Sequence, residues 1–216
     1  GTDVTSLNNE WDVDTSVFPR TVEHAGAPVE ITPVLGGPEL LPDRTLWDLP
    51  HLVDAIDSAA ERVRAQMLTY SPLTRDGEFW PDLDNALRGA AARGLRVELL
   101  VSHWNTRPGQ IEYLQSLQSV PGIEVRVATV PEWSGGFVPY ARVLHAKTLS
   151  VDGRIAWVGT SNWSHGYFHG GRHHGLMVEG TSFAREVDAF FERVWTAAWS
   201  ETVAPGRTYP EPRVDE

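Results

Sequence analysis

The stretch VLHAKTLSVDGRIAWVGTSN, residues 143–162, decides how this chain is read. Val143 to Val151 and Ile155 to Val158 are two runs of strand-forming residues, and Asp152-Gly153 between them is a strong hairpin signal. On a strand, residues two apart point to the same face, so this spacing sends the side chains of His145 and Lys147 out together. An imidazole beside an ammonium on one surface makes chemical sense around an anion. Lys147 and the Asn162 amide can hold phosphate oxygens while His145 faces the phosphorus or the leaving oxygen. Thr160 adds a hydroxyl donor in the loop after the second strand, and Asp152 ends the first strand, where it can hold the hairpin in register.

The charge pattern around this hairpin supports a local anion site. Between Gly135 and Gly175, Arg142, Lys147, Arg154 and Arg172 face a single acid, Asp152, and five of the chain's eight histidines lie in the same stretch. The 216-residue chain as a whole is acidic, with a formal net charge of −11. That excludes a broad basic surface coating nucleic acid, because such binding needs many Lys/Arg–phosphate contacts. Lys147 is the only lysine among 18 basic residues, so a compact ammonium stands at this one place in an otherwise arginine-using chain. With 41% apolar residues and nine tryptophans the chain can bury a substantial core. No run of about 18 apolar residues is long enough to span a membrane. Zero cysteines exclude disulfides and thiolate metal sites.

Outward from the hairpin, strand and helix patterns alternate. Residues 1–28 lack periodicity and read as an extended arm, and Val29 to Val34 alternates as a strand. Trp47 to Arg64 has helical spacing, and Gln66 to Tyr70 is a short buried strand. Phe79 to Arg93 is helical, Arg96 to Ser102 a buried strand, Gln110 to Leu117 helical and Ile123 to Thr129 a strand. Gly175 to Glu179 is a further strand. Ser182 to Trp199 is a strongly periodic helix with Phe183, Val187, Phe190, Phe191, Val194 and Trp195 facing inward. The Pro-rich, charged residues 205–216 read as a loose tail, so the folded lobe is expected over 29–204. This alternation predicts an α/β fold, a mixed β-sheet flanked by helices on both faces.

The spacing His-x-Lys, four residues, Asp, six residues, Gly-Thr-x-Asn resembles the signature of the phospholipase D superfamily. The resemblance is widest to its lumenal exonuclease branch. It takes in Phe79-Trp80-Pro81, Leu83-Asp84, Ala86-Leu87-Arg88, Arg93-Gly94, Leu99 to Ser102 with Trp104, Pro139 to Val143, and Gly159 to Ser164 with Tyr167-Phe168. Members of that family are usually built from two lobes, each supplying one motif to a shared site. The resemblance therefore implies that this chain is a second, C-terminal lobe whose residues 1–28 are an interlobe arm, or else a one-motif member that pairs as a homodimer. It implies a phosphodiesterase with no metal and no cofactor, working through a phosphohistidine, with His145, Lys147 and Asp152 catalytic, Thr160 and Asn162 binding substrate, and His145 in the acid/base role. The implied substrate is single-stranded nucleic acid, with phospholipid hydrolysis or phosphatidyl transfer as the alternative, and the implied compartment is secreted or lumenal. One departure stands out: where single-motif relatives carry an acid that orients the histidine, this chain has His173.

Other readings compete with this one. A lobe without chemistry could bind anions or a partner protein. His165, His169, His173 and His174 are numerous enough for a zinc site, although Gly166, Gly170 and Gly171 break any helix that would align them. Trp80, Trp104, Trp133 and Trp163 are candidates for stacking on nucleobases or for packing.

Overall fold

The computed structural model describes residues 14–215, so the first 13 residues of the expected arm lie outside the described part. Eleven strands are described: β1 (Arg20–His24), β2 (Ala27–Leu35), β3 (Arg62–Met67), β4 (Tyr70–Ser71), β5 (Arg96–Ser102), β6 (Ile123–Ala128), β7 (Thr148–Val151), β8 (Ile155–Gly159), β9 (Trp163–Ser164), β10 (His174–Glu179) and β11 (Ser200–Thr202). The helices are α1 (Asp48–Asp57), α2 (Asp82–Ala92), α3 (Ile111–Gln118), α4 (His165–His169) and α5 (Thr181–Trp195). Nine strands form one sheet in the order β1-β2-β10-β8-β7-β3-β5-β6-β11, and β4 and β9 pair separately. The β3-β5-β6 ladder is parallel, because α2 and α3 return the chain between those strands; the other ladders of the large sheet are antiparallel.

Strand alternation splits the sheet into two faces. Val63, Ala65 and Met67 of β3 and Val97, Leu99 and Val101 of β5 share one core with Leu52 and Ile56 of α1, Leu83 and Leu87 of α2, and Leu114 and Leu117 of α3. The intervening residues face α5, where Leu100 and Ala128 pack on Phe191 and Trp195, and Ala156 packs on Ala184 and Val187. Helix α5 buries Ala184, Val187, Phe191 and Trp195, a stripe at three- and four-residue spacing. Its seam with the sheet carries a buried cation: Arg64 donates to Glu98 and Glu192, both at 2.6 Å, lies 3.6 Å from Asp188, and sits 5.1 Å from the centre of the Phe191 ring. Helices on both faces of a mixed sheet are what the alternation predicted.

Several boundaries differ from the sequence reading, each for a tertiary reason. Helix α1 stops at Asp57, where helical spacing ran on to Arg64. Residues 62–67 instead enter the sheet between β5 and β7, and the Asp152 carboxylate accepts the N–H groups of Ala60, Glu61 and Arg62 at 2.8, 3.0 and 2.7 Å. Strand β7 starts at Thr148 rather than Val143, because Tyr140 and Arg142 adopt positive φ (56° and 51°) and turn the chain before it can join the ladder. Helix α5 ends at Trp195, Phe190 remains 37% exposed, and residues 200–202 pair with β6. The stretch read as an arm up to residue 28 includes β1, which pairs with β2 at the edge of the sheet. The tail read as loose from Pro205 is seated: Tyr209 is buried, and Gln115 donates to the carbonyls of Ala204 and Arg207.

Candidate active site

The hairpin β7–β8 closes through Asp152 and Gly153, both at positive φ (54° and 60°), as its Asp-Gly signal required. At its other end the ladder finishes with the Gly159 N–H donating to the Lys147 carbonyl at 3.2 Å. His145 and Lys147 therefore stand just beyond the last rung of β7, on backbone outside the ladder. Their side chains still meet. The Lys147 ammonium lies 3.4 Å from each nitrogen of the His145 ring and donates to the His145 carbonyl at 2.6 Å. Lys147 is 6% exposed whereas the imidazole is open to solvent. The two line a cavity of about 330 Å³ together with Thr148, Val158, Gly159 and Thr160.

Electrostatics sets the protonation of this pair. Burial lowers Lys147 from 10.5 to about 8, so it remains a cation at neutral pH with a labile proton. Burial and then the neighbouring ammonium lower His145 below 6.5, which makes the neutral imidazole the resting form at pH 7. An anion against Lys147 would offset its charge and bring the His145 value back up, so anion binding there would favour the protonated ring.

The remaining predicted residues divide. Thr160 is on the cavity wall, its hydroxyl tied to β10: it accepts from the His174 N–H at 3.1 Å and lies 3.2 Å from the His174 carbonyl. Asn162 is 3% exposed and held from both sides, its Oδ1 accepting from the Thr69 N–H at 3.1 Å and its amide donating to the Tyr167 hydroxyl at 3.0 Å. Its second amide hydrogen has no partner among the described residues. Asp152 does not join the group. It sits at the turn end of the hairpin, five residues from Lys147, and its carboxylate accepts the three N–H groups of residues 60–62.

Three further residues belong to this neighbourhood. Tyr167 fixes the Asn162 amide and packs against His173, ring centres 4.4 Å apart; His173 reaches within 3.4 Å of the Thr160 hydroxyl. Asp48, 1% exposed at the start of α1, accepts from the Ser161 hydroxyl at 3.1 Å, and burial raises its carboxyl to about 7. An aspartate opening a helix reads as an ordinary first-turn residue, so the sequence held no signal for this contact. Gly159 and Gly175 flank the fully buried Trp157, and a Cβ on either would run into its indole, which explains the motif's glycine.

The histidine loop takes a different form from a metal centre. His165 and His169 stack face to face, centres 4.2 Å apart and planes 12° apart, and among the described residues no three His, Asp or Glu side chains converge as a metal-binding group. Trp80 and Trp163 are core residues at 6% and 0% exposure, whereas Trp104 is half-buried and Trp133 is exposed.

With fold and site in view, comparison with known proteins defines the class. The family described as "Cardiolipin synthase, PLD-like domain" matches residues 52–195. Among solved structures, NucT from Helicobacter pylori aligns with a TM-score of 0.62 at 21% identity, over 81% of this chain and 99% of its own. Nuc from Salmonella typhimurium, titled a phospholipase D family member, aligns with a TM-score of 0.61 at 18% identity, over 81% of this chain and 97% of its own. The fold is thus that of a phospholipase D-like unit. Among curated proteins, "Phospholipase D Y" of Dictyostelium discoideum is 37% identical over 162 residues, 72% of this chain and 37% of the relative. Human "5'-3' exonuclease PLD4" is 35% identical over 192 residues, 79% of this chain and 38% of the relative. The chain belongs to the phospholipase D superfamily. It spans less than two fifths of the length of those two relatives.

Proposed function

We propose that this chain is the second, C-terminal lobe of a two-motif phosphodiesterase that cleaves single-stranded nucleic acid through a phosphohistidine. The observation that carries the reading is the His145–Lys147 pair: an exposed imidazole, favoured in its neutral form by partial burial and by the buried ammonium beside it, lining an open cavity with room for a phosphodiester group. In the reaction, a nitrogen of one histidine forms a bond to phosphorus as the bond to the leaving oxygen breaks, and the other histidine gives that oxygen its proton. The same histidine then takes a proton from water, whose oxygen attacks phosphorus and expels the first histidine. His145 fits the acid/base role, because substrate binding against Lys147 raises its affinity for a proton, and the second histidine comes from the other lobe.

The seat for that lobe is an uncovered apolar face. Val158, Leu176 and Phe190 are 39%, 45% and 37% exposed, and a groove of about 700 Å³ lined by Phe183, Val187 and Phe190 shares Ala146, Thr148 and Val158 with the catalytic cavity. An apolar surface running into an incomplete site suits a partner that completes it. The coverage supports the other lobe of the same protein over a second copy of this chain, since the curated relatives are more than twice as long as the matched part.

The relatives named as exonucleases support nucleic acid. A phospholipid reading has its own support in the relative named phospholipase D and in the apolar groove beside the site. The test is the full-length protein incubated with labelled single-stranded oligonucleotide and with phosphatidylcholine vesicles, with and without His145→Ala and with chelator present. Oligonucleotide cleavage that survives chelator and falls by about 10² to 10⁴ in the variant is expected. Cleavage of vesicles alone would reverse the substrate ranking, and unchanged activity in His145→Ala would make this a lobe without chemistry.

A further inference from the structure

A second cavity, of about 200 Å³, opens on the chain segment that leads into His145. We propose that it is a nucleobase subsite, holding a base of the single strand next to the scissile phosphate; this rests on the nucleic-acid reading of the catalytic site.

The cavity lies between the loop of residues 129–142 and the turn His103–Thr106 that ends β5. Trp104 and Phe137 supply aromatic surface to its wall, and Arg142 and Arg213 supply cations against the single carboxylate of Glu132. That is the composition single-strand binding requires: a π-face for the base and positive charge for the phosphates on either side of it. An acyl chain would instead call for a longer groove without guanidinium groups. Of the four tryptophans that were candidates for stacking, Trp80 and Trp163 are withdrawn into the core, while Trp104 remains half-buried at this wall with its ring 6.4 Å from that of Tyr140, edge to face. Tyr140 itself is 65% exposed at the rim.

Two features argue that the cavity is held open rather than incidental. Tyr140 and Arg142 both adopt left-handed backbone, a costly conformation for residues other than glycine, Asn or Asp. The surrounding chain fixes that conformation: the Tyr140 N–H donates to the Val214 carbonyl at 2.9 Å, and the Arg213 guanidinium lies 3.9 Å from the Phe137 ring centre. The strained residues are also close to the chemistry. Arg142 stands three positions before His145, so their Cα atoms are at most about 11 Å apart, within reach of adjacent nucleotides on one strand.

The experiment uses the full-length protein and a set of single-stranded oligonucleotides, each with one abasic site at a different distance from the cleaved bond. Wild type is expected to lose roughly tenfold in kcat/KM when the abasic site falls at one particular position. Trp104→Ala should show that loss on the intact oligonucleotide and no further loss on the abasic one, because the interaction is already gone. Arg142→Ala should raise KM and flatten the salt dependence; it and Arg213→Ala carry the test if Trp104→Ala fails to fold by circular dichroism. Equal rates at every abasic position, or losses from variant and abasic site that multiply, would overturn the proposal while leaving the nuclease reading intact. A wild-type protein that cleaves vesicles and no oligonucleotide would instead remove the reading on which the subsite rests.

Discussion

Replacing Asp152 by alanine separates the two roles that its place in the motif suggests. Its carboxylate accepts three backbone N–H groups, from Ala60, Glu61 and Arg62, at the corner where α1 gives way to β3. Hydrogen bonds to a charged group contribute about 1.5–3 kcal/mol each when buried. Here the donors are at the surface and can turn to water, so the sum is nearer 2 kcal/mol for the three. For a chain of this size that corresponds to a fall of about 4–8 °C in Tm. Asp152→Asn, which keeps one good acceptor oxygen, should lose about half as much. The pH dependence has a definite sign. Partial burial pushes the Asp152 carboxyl up, but the three N–H groups and the charge of Arg154 outweigh it and hold the group below 3.8. Its contribution is therefore complete above the unfolded value and disappears as pH falls through the folded one. Calorimetry of wild type and Asp152→Ala at pH 7 and 5 should show the full difference, and as pH falls below 3.8 the gap between the two should shrink. Cleavage by the folded variant below its Tm should remain within a fewfold of wild type. A variant that melts with wild type yet loses activity a hundredfold would refute the structural assignment and return Asp152 to the chemistry.

Arg64→Met should destabilise by about 3 kcal/mol, because it leaves the buried Glu98 carboxylate with only the exposed Arg96 guanidinium, 3.6 Å away; the check is thermal or urea unfolding, with a drop of under about 1 kcal/mol counting against the network. Asp48→Asn should change the slope of stability with pH. Since burial raises Asp48 to about 7, wild type loses stability as pH climbs from about 4 to 7 while the unfolded carboxylate ionises first, and the amide removes that loss. The variant should overtake wild type by up to about 4 kcal/mol at pH 8, read from urea midpoints across that range.

What could be read from the residues was whatever is decided locally. Arg96–Ser102 is a short run with Val97, Leu99, Leu100 and Val101 at its centre, between a Gly94 turn and a Ser102 cap, and its bounds match. The Asp152-Gly153 turn adopts the positive-φ form that an Asp-Gly pair favours, and the juxtaposition of His145 and Lys147 survived even though β7 begins after them. What could not be read was decided by distant partners. The apolar and charged spacing of residues 47–64 is genuinely helical, yet residues 62–64 pair with β5 and β7 in the sheet, and Asp152, some ninety residues on, claims the N–H groups of residues 60–62 at the corner before them. The tail's anchoring depends on a glutamine of α3 and a tyrosine hydroxyl, contacts with no periodic signature. Likewise, nothing near Asp48 announces Ser161, 113 residues away, and Asn162 is aimed by Tyr167 only once α4 has formed.

The solitary lysine has a practical consequence. Within this chain, an acylating reagent used near pH 8 meets one side-chain amine, and that amine's proton is already loosened by its setting. Attachment there would plant a fluorophore or photocrosslinker in the cavity that Lys147 lines with His145, without any engineered cysteine. Protection of the same amine by inorganic phosphate or vanadate would report occupancy directly by mass spectrometry.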